Sequence, residues 1–156
     1  MITIEDWLEK DLCDFLEQKL LYETPHYYGH KSLEKYKDVN LFYKTVLNQQ
    51  DNLMSFLISK LRKNLNEKSE IFDLYMNVQH PGMDGAFHTD PGDLTCLYML
   101  TGEGDFQIKN EESISFKKNK LICFDAKKLH RGLAPKKGVR ITVVFKTEII
   151  GEKNDR

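Results

Sequence analysis

The chain has 156 residues, 40% of them apolar and 30% charged, which is one globular domain's worth of material and too little for two full-sized domains. No apolar run approaches the roughly 18 residues that span a bilayer, and the opening Met1-Ile2-Thr3-Ile4-Glu5-Asp6 is acidic where a secretory leader is basic, which points to a soluble, unexported protein that enters no membrane. Cys13, Cys96 and Cys123 lie far apart in apolar stretches, as small buried side chains of a reducing, cytoplasmic compartment do.

The net charge of −1 conceals an asymmetry. Residues 1 to 108 carry 10 Lys and Arg against 18 Asp and Glu, whereas residues 109 to 140 carry 10 against 3. In the later segment Lys117, Lys118, Lys120, Lys127, Lys128, Lys136 and Lys137 occupy what read as turns between strands, where lysines keep a protein soluble and protect sheet edges. A rim that attracts an anionic substrate is the functional alternative.

In chain order, Leu8, Leu12, Phe15, Leu16 and Leu20 repeat at helical spacing after Thr3 and Asp6, and Leu53, Phe56, Leu57, Leu61 and Leu65 do so after Asp51 and Asn52. Each predicts a helix with one apolar face. Residues 24 to 40 between them lack periodicity and are rich in Tyr, His and Lys, so they read as an irregular connection, with a lid over a site as the functional alternative. From residue 71 the period becomes two. Short β-type runs are predicted at 71–80, 94–100, 104–109, 113–116, 121–125, 129–134 and 139–147, separated by Gly, Pro, Asn and Lys turns. So many short strands with so few helices predict an α+β, mainly β chain, a two-sheet sandwich or jelly roll with both helices outside one sheet. Residues 1–70 then form helical support and 71–147 the jelly-roll core of a single domain spanning 1–156.

The chemistry concentrates in the strand-rich part. In His88-Thr89-Asp90 an extended backbone turns both acid–base side chains to one side. His130 begins another predicted strand, and two imidazoles with one carboxylate make the facial triad that holds non-haem Fe(II) with positions left open. Ile141, Val143 and Phe145 form one face of the last strand, leaving Arg140 and Thr142 on the other, and an arginine facing the interior needs an anion. On the strand before His88, Phe72, Leu74, Met76 and Val78 share the apolar face while Tyr75, Asn77 and Gln79 share the polar one. His26, His30 and His80 read as loop or strand-end residues, not ligands.

With these residues the sequence resembles the 2-oxoglutarate- and Fe(II)-dependent oxygenases, most closely the prolyl 4-hydroxylase group, over roughly residues 71 to 147. The resemblance implies a double-stranded β-helix, with His88, Asp90 and His130 as iron ligands and with Arg140 and Thr142 on the distal carboxylate of 2-oxoglutarate. It also implies O2 as co-reactant and ascorbate as an optional reductant. Family members often carry a cosubstrate-contacting tyrosine nine residues before the first iron histidine, and some an asparagine two residues earlier; here Gln79 departs from that pattern and Asn77 fits it. Met99 stands where many prolyl hydroxylases have another cosubstrate tyrosine, with Tyr98 on the opposite face, which leaves Thr142 or Tyr75 to supply the hydroxyl. The implied activity is hydroxylation of a prolyl or similar residue in a peptide or protein, with a small molecule as the other possible substrate. The competing readings are oxidative demethylation of an alkylated nucleobase, a weaker match because no nucleic-acid motif is present, and a non-catalytic cupin-like binder. Residues 24–40 and 81–87 are the expected substrate loops.

Overall fold

The computed structural model describes residues 1–32, 40–66 and 68–151. The elements run β1 (Ile2–Ile4), α1 (Lys10–Tyr22), β2 (Tyr27–His30), β3 (Phe42–Val46), α2 (Asn52–Asn64), β4 (Ser69–Gln79), β5 (Leu94–Thr101), β6 (Phe106–Ile108), β7 (Lys120–Asp125), β8 (His130–Gly132) and β9 (Arg140–Ile149). Seven strands form an antiparallel major sheet in the order β1-β7-β5-β9-β4-β3-β2, and β6 pairs with β8 in a minor sheet. Isolated bridges from Ile114 to Phe106 and from His88 to His130 widen the minor sheet on both sides. The run at 113–116 therefore contributes a single bridge instead of the full strand its alternation predicts.

The two faces of the major sheet follow from the period-two pattern. Leu74, Met76 and Val78 of β4 lie opposite Phe145, Val143 and Ile141 of β9. Together with Cys96, Tyr98, Leu100, Leu121 and Cys123 they pack against Leu16 and Leu20 of α1 and Leu57 and Leu61 of α2. The alternate residues Tyr75, Leu97, Met99, Ile122, Phe124 and Val144 form a second apolar cluster against Phe106 and Ile108 of the minor sheet. Phe72 leaves its predicted face because a bulge between Ile71 and Asp73 takes it out of register, and it is exposed. All three cysteines are buried and free.

Both helices are amphipathic as predicted, except that Phe56 of α2 lies outside the buried stripe at 50% exposure and α1 differs at its start. The helix α2 is capped by Asp51, whose carboxylate accepts from Leu53 N at 3.0 Å and Met54 N at 3.3 Å. Helix α1 starts at Lys10 with no side-chain cap, well after Thr3 and Asp6. Residues Ile2–Ile4 instead pair with β7, and Trp7 and Leu8 sink into the core ahead of the helix, held by Asn119, whose Oδ1 accepts from Leu8 N and whose Nδ2 donates to Leu8 O. Phe15 then falls outside the buried stripe, at 59% exposure. The segment predicted as irregular, 24–40, contains β2, and β3 follows it; the two strands complete one edge of the major sheet. Residues 33–39 of the expected lid lie outside the described residues. No helix among the described residues is long and apolar enough to cross a membrane.

Candidate metal centre and anion pocket

Between the two sheets lies a cavity of about 250 Å³, and every candidate residue of the strand-rich part lines it: His88, Asp90, His130, Arg140, Thr142, Gln79, Asn77 and Tyr75. His88 and His130 are brought together as directly opposed residues of the minor sheet. Each donates its backbone N–H to the other's carbonyl, at 3.0 and 2.9 Å, and their ring centroids are 4.4 Å apart. Asp90 follows in the turn, fixed by its N–H to Ala126 O at 2.8 Å. One ligand atom from each of the three lies within 4.8 Å of the others.

Tautomers define what this cluster can do. His88 Nδ1 is 2.9 Å from Ala86 O, and His130 Nδ1 is 2.8 Å from Lys128 O. A carbonyl only accepts, so both Nδ1 atoms carry the proton and both neutral rings turn a bare Nε2 lone pair inward. Those lone pairs face Asp90 Oδ1 at 3.5 Å and Oδ2 at 3.3 Å. Burial pushes the His88 pKa down, which keeps that ring neutral. Two lone pairs and a carboxylate converging without a proton between them repel unless a cation sits among them, so the donor set suits a metal ion with N and O preference. Asp90 is held well below the usual carboxylate range: burial raises its pKa, but a protonated His130 ring, the Lys146 ammonium and the Thr95 hydroxyl outweigh that, and with both rings neutral Lys146 and Thr95 still favour the carboxylate.

A second group of residues forms an anion pocket. The register of β4 against β9 sets Gln79 opposite Arg140 and Asn77 opposite Thr142, all on the cavity face. Arg140 is 2% exposed, and burial pushes its pKa down to about 10, opposed by the field of Asp105. Its Nη1 donates to Gln79 Oε1 at 2.5 Å, and its guanidinium lies over the Phe116 ring at 5.4 Å. Among the described residues no carboxylate pairs with it, and its Nε and Nη2, with Thr142 Oγ1 and Asn77 Oδ1, are buried without a hydrogen-bond partner. The orphaned donors among them, Arg140 Nε and Nη2 and the Thr142 hydroxyl, are the fitted surroundings of an oxyanion that the chain does not itself supply, while Asn77 Oδ1 can only accept. Met99 packs in the inter-sheet cluster, while the Tyr98 hydroxyl is taken by Cys13 and Asn119 on the helix face. Thr142 and Tyr75, the two hydroxyls expected in place of a tyrosine at position 99, both line the cavity.

Several site residues were not singled out from sequence. Lys146 Nζ lies 3.2 Å from Asp90 Oδ1, and Thr95 Oγ1 donates to Asp90 Oδ2 at 2.7 Å. Lys146 shares the parity of Arg140 and Thr142, so the alternation carried that signal; Thr95 and Lys44, which also lines the cavity, depended on strand register. Gly132 carries the guanidinium: a Cβ there would stand 2.9 Å from Arg140 Nη1 and 3.2 Å from Nη2. Residues 81–87 do not line the cavity. They brace it, with Met83 O accepting from Gln79 Nε2 at 2.7 Å and Ala86 O from His88. His30, read as a loop residue, belongs to β2 and lines the cavity, whereas the His26 ring bonds Leu20 O and His80 stacks on Tyr43 outside it.

No protein-family model and no curated protein sequence matches the chain. Solved structures do. A viral collagen prolyl hydroxylase from Paramecium bursaria Chlorella virus-1, in its 2-oxoglutarate complex, superposes with a TM-score of 0.68 at 19% identity over 96% of each chain. The fold is a double-stranded β-helix. An oxidoreductase of the 2-oxoglutarate- and Fe(II)-dependent oxygenase family from Burkholderia pseudomallei shares it, with a TM-score of 0.73 at 10% identity over 99% of this chain and 88% of its own. A Trichoplax adhaerens prolyl hydroxylase, bound to a peptide fragment of the hypoxia-inducible factor oxygen degradation domain, gives 0.72 at 13% identity over 95% and 83%.

Proposed function

We propose that the chain is a single-domain 2-oxoglutarate- and Fe(II)-dependent oxygenase that hydroxylates a prolyl or similar residue of a peptide or protein. The observation that carries the reading is the buried, anion-free Arg140 opening onto the same cavity as the inward-facing His88, Asp90 and His130 donors. In this reading the triad holds Fe(II), and Arg140 with Thr142 holds the distal carboxylate of 2-oxoglutarate. With O2, those groups supply the oxidising chemistry, converting 2-oxoglutarate to succinate and CO2 while one oxygen atom enters a substrate C–H bond; ascorbate keeps the iron ferrous.

The chain's own residues bind, orient and shield. Ala86 O and Lys128 O fix the two imidazoles as Nε2 donors, and Thr95 and Lys146 fix the carboxylate between them. Gln79 Oε1 aims the guanidinium, Phe116 covers it, and Asn77 and Tyr75 finish the polar wall. No side chain needs to act as general acid or base. The Trichoplax relative, with its peptide, supports a peptide substrate. A cupin-like binder would leave Arg140 without a role.

The test is metal-reconstituted protein incubated with 2-oxoglutarate and ascorbate, following succinate. Fe(II)-dependent succinate formation is expected, stimulated by peptides containing proline and lost in His130→Ala and Asp90→Ala variants that keep their fold. Full stoichiometric metal in His130→Ala would remove the proposed ligand set.

A further inference from the structure

Four of the seven late-turn lysines are engaged with acids: Lys117 and Lys120 pair with Glu5 at 2.6 and 3.4 Å, Lys118 with Asp14 and Glu17 at 3.1 and 2.9 Å, and Lys128 with Glu111 at 2.5 Å. An excess of positive charge also lies inside the cavity. Its lining among the described residues holds Lys31, Lys44, Arg140 and Lys146 against the single carboxylate of Asp90.

The lining carries an excess of three positive charges. Lys146 is matched by Asp90 at 3.2 Å. In the oxygenase reading Fe(II) adds two positive charges and 2-oxoglutarate two negative ones, so the excess is unchanged, and the distal carboxylate lies on Arg140. Lys44 and Lys31 are left over. Asp73 lies opposite Lys146 in the sheet and its field reaches Lys44, but it belongs to no ion pair with either lysine, and counting it still leaves the region positive. Lys44 Nζ is held 3.9 Å from the centroid of the Tyr75 ring, and Lys146 Nζ lies 5.2 Å from the same ring. The aromatic face fixes the Lys44 ammonium without consuming its charge.

A half-buried ammonium beside a second ammonium is costly unless an anion joins it. Lys44 is on β3, one strand in from the β2 edge of the major sheet, and Lys31 follows β2 directly. Both stand at the end of the cavity away from β1 and β7. Phosphate groups are usually gripped by several donors at once, whereas Lys44 offers one point charge in a small cavity, which suits a carboxylate.

We propose that the substrate of this site carries a carboxylate, held by Lys44 with Lys31 beside it, while the oxidised carbon faces His88, Asp90 and His130. The proposal rests on the oxygenase reading and names its substrate class: an acidic residue close to the hydroxylated one in a peptide, or a small carboxylic acid.

The experiment uses three pools of acetylated, amidated peptides with a central proline flanked by Asp and Glu, by Asn and Gln, or by Lys and Arg. They are titrated without O2 onto Mn(II)-loaded protein with 2-oxoglutarate, and onto metal-free protein. The acidic pool is expected to bind about tenfold more tightly than the amide pool, the size of one charge-assisted contact. Lys44→Met should erase that ratio and Lys44→Glu should invert it in favour of the basic pool. N-acetyl-aspartate α-amide against N-acetyl-asparagine α-amide, which differ only in the side-chain carboxylate, separates the two sources, since equal gain from the free acid and the peptide assigns a small-molecule substrate. Equal or undetectable binding of the acidic and amide pools, or preference for the basic pool, overturns the proposal. Failure of Mn(II) or 2-oxoglutarate to bind overturns the oxygenase reading separately, because the metal-free titration still reads the charge preference.

Discussion

At the scale of single residues, the site depends on side chains that touch the ligating groups without being ligands themselves. Thr95 holds one oxygen of Asp90 and leaves less freedom for the carboxylate to turn. Thr95→Val, nearly isosteric, should weaken metal binding by about tenfold in a chelator competition while leaving the fold intact, the size usual for an outer partner of a metal ligand. Arg140 poses the opposite case, a buried charge whose protein partners are all neutral. Arg140→Met is expected to stabilise the ligand-free protein by about 1 kcal/mol in denaturant melts, because the unpaired charge is gone, and to abolish 2-oxoglutarate binding measured by calorimetry. Unchanged cosubstrate affinity would remove Arg140 from the pocket. Arg140→Lys should also weaken binding, since a point charge cannot form the planar two-bond contact. Arg140 and Thr142 were readable from alternation alone because β9 has one wholly apolar face. Lys44 was not, because its strand is flanked by residues whose pattern matches neither period.

At the scale of elements, β8 shows how little secondary structure is required to build the site. Its three residues supply His130 at one end and Gly132 at the other, so the same short strand presents a metal donor and supports the guanidinium. Gly132→Ala places a methyl against Arg140 Nη1 and should displace the guanidinium. The expected result is roughly tenfold weaker 2-oxoglutarate binding with metal affinity retained, the kind of loss that a small misplacement of a positioning group produces. Loss of both would mean that β8 itself had moved. Strand alternation located β8 but could not reveal that β6 and the His88 segment pair with it on opposite sides. The N-terminal strands β1, β2 and β3 were hidden for a related reason: each is short and lies beside a helix or a Tyr-rich loop, β1 and β3 find their partners β7 and β4 far along the chain, and β2 is added only onto β3.

At the scale of the whole molecule, the acidic first part of the chain folds onto the basic later part. The ion pairs of Glu5, Asp14 and Glu17 with Lys117 and Lys118 neutralise the first part of the late lysine cluster, the basic segment that a nucleic-acid backbone would need. Single-stranded oligonucleotides are accordingly expected to bind weakly, with a log K against log salt slope far shallower than the roughly −0.7 per phosphate of a true single-strand binder. A steep slope together with consumption of alkylated bases would favour the demethylase reading instead. The sequence by itself determined the local periods, and with them the two amphipathic helices, the strand-rich second half and the side of each strand on which His88, Asp90, Arg140, Thr142, Asn77 and Gln79 lie. The tertiary structure alone set His88 and His130 opposite each other in the minor sheet, closed Lys146 and Thr95 on Asp90, and paired Lys117, Lys118, Lys120 and Lys128 with acids while leaving Lys44 without one among the described residues. Facing direction is set by the alternation of neighbouring residues along one strand, whereas distances between strands depend on register and on chain segments far apart in sequence, which no local pattern contains.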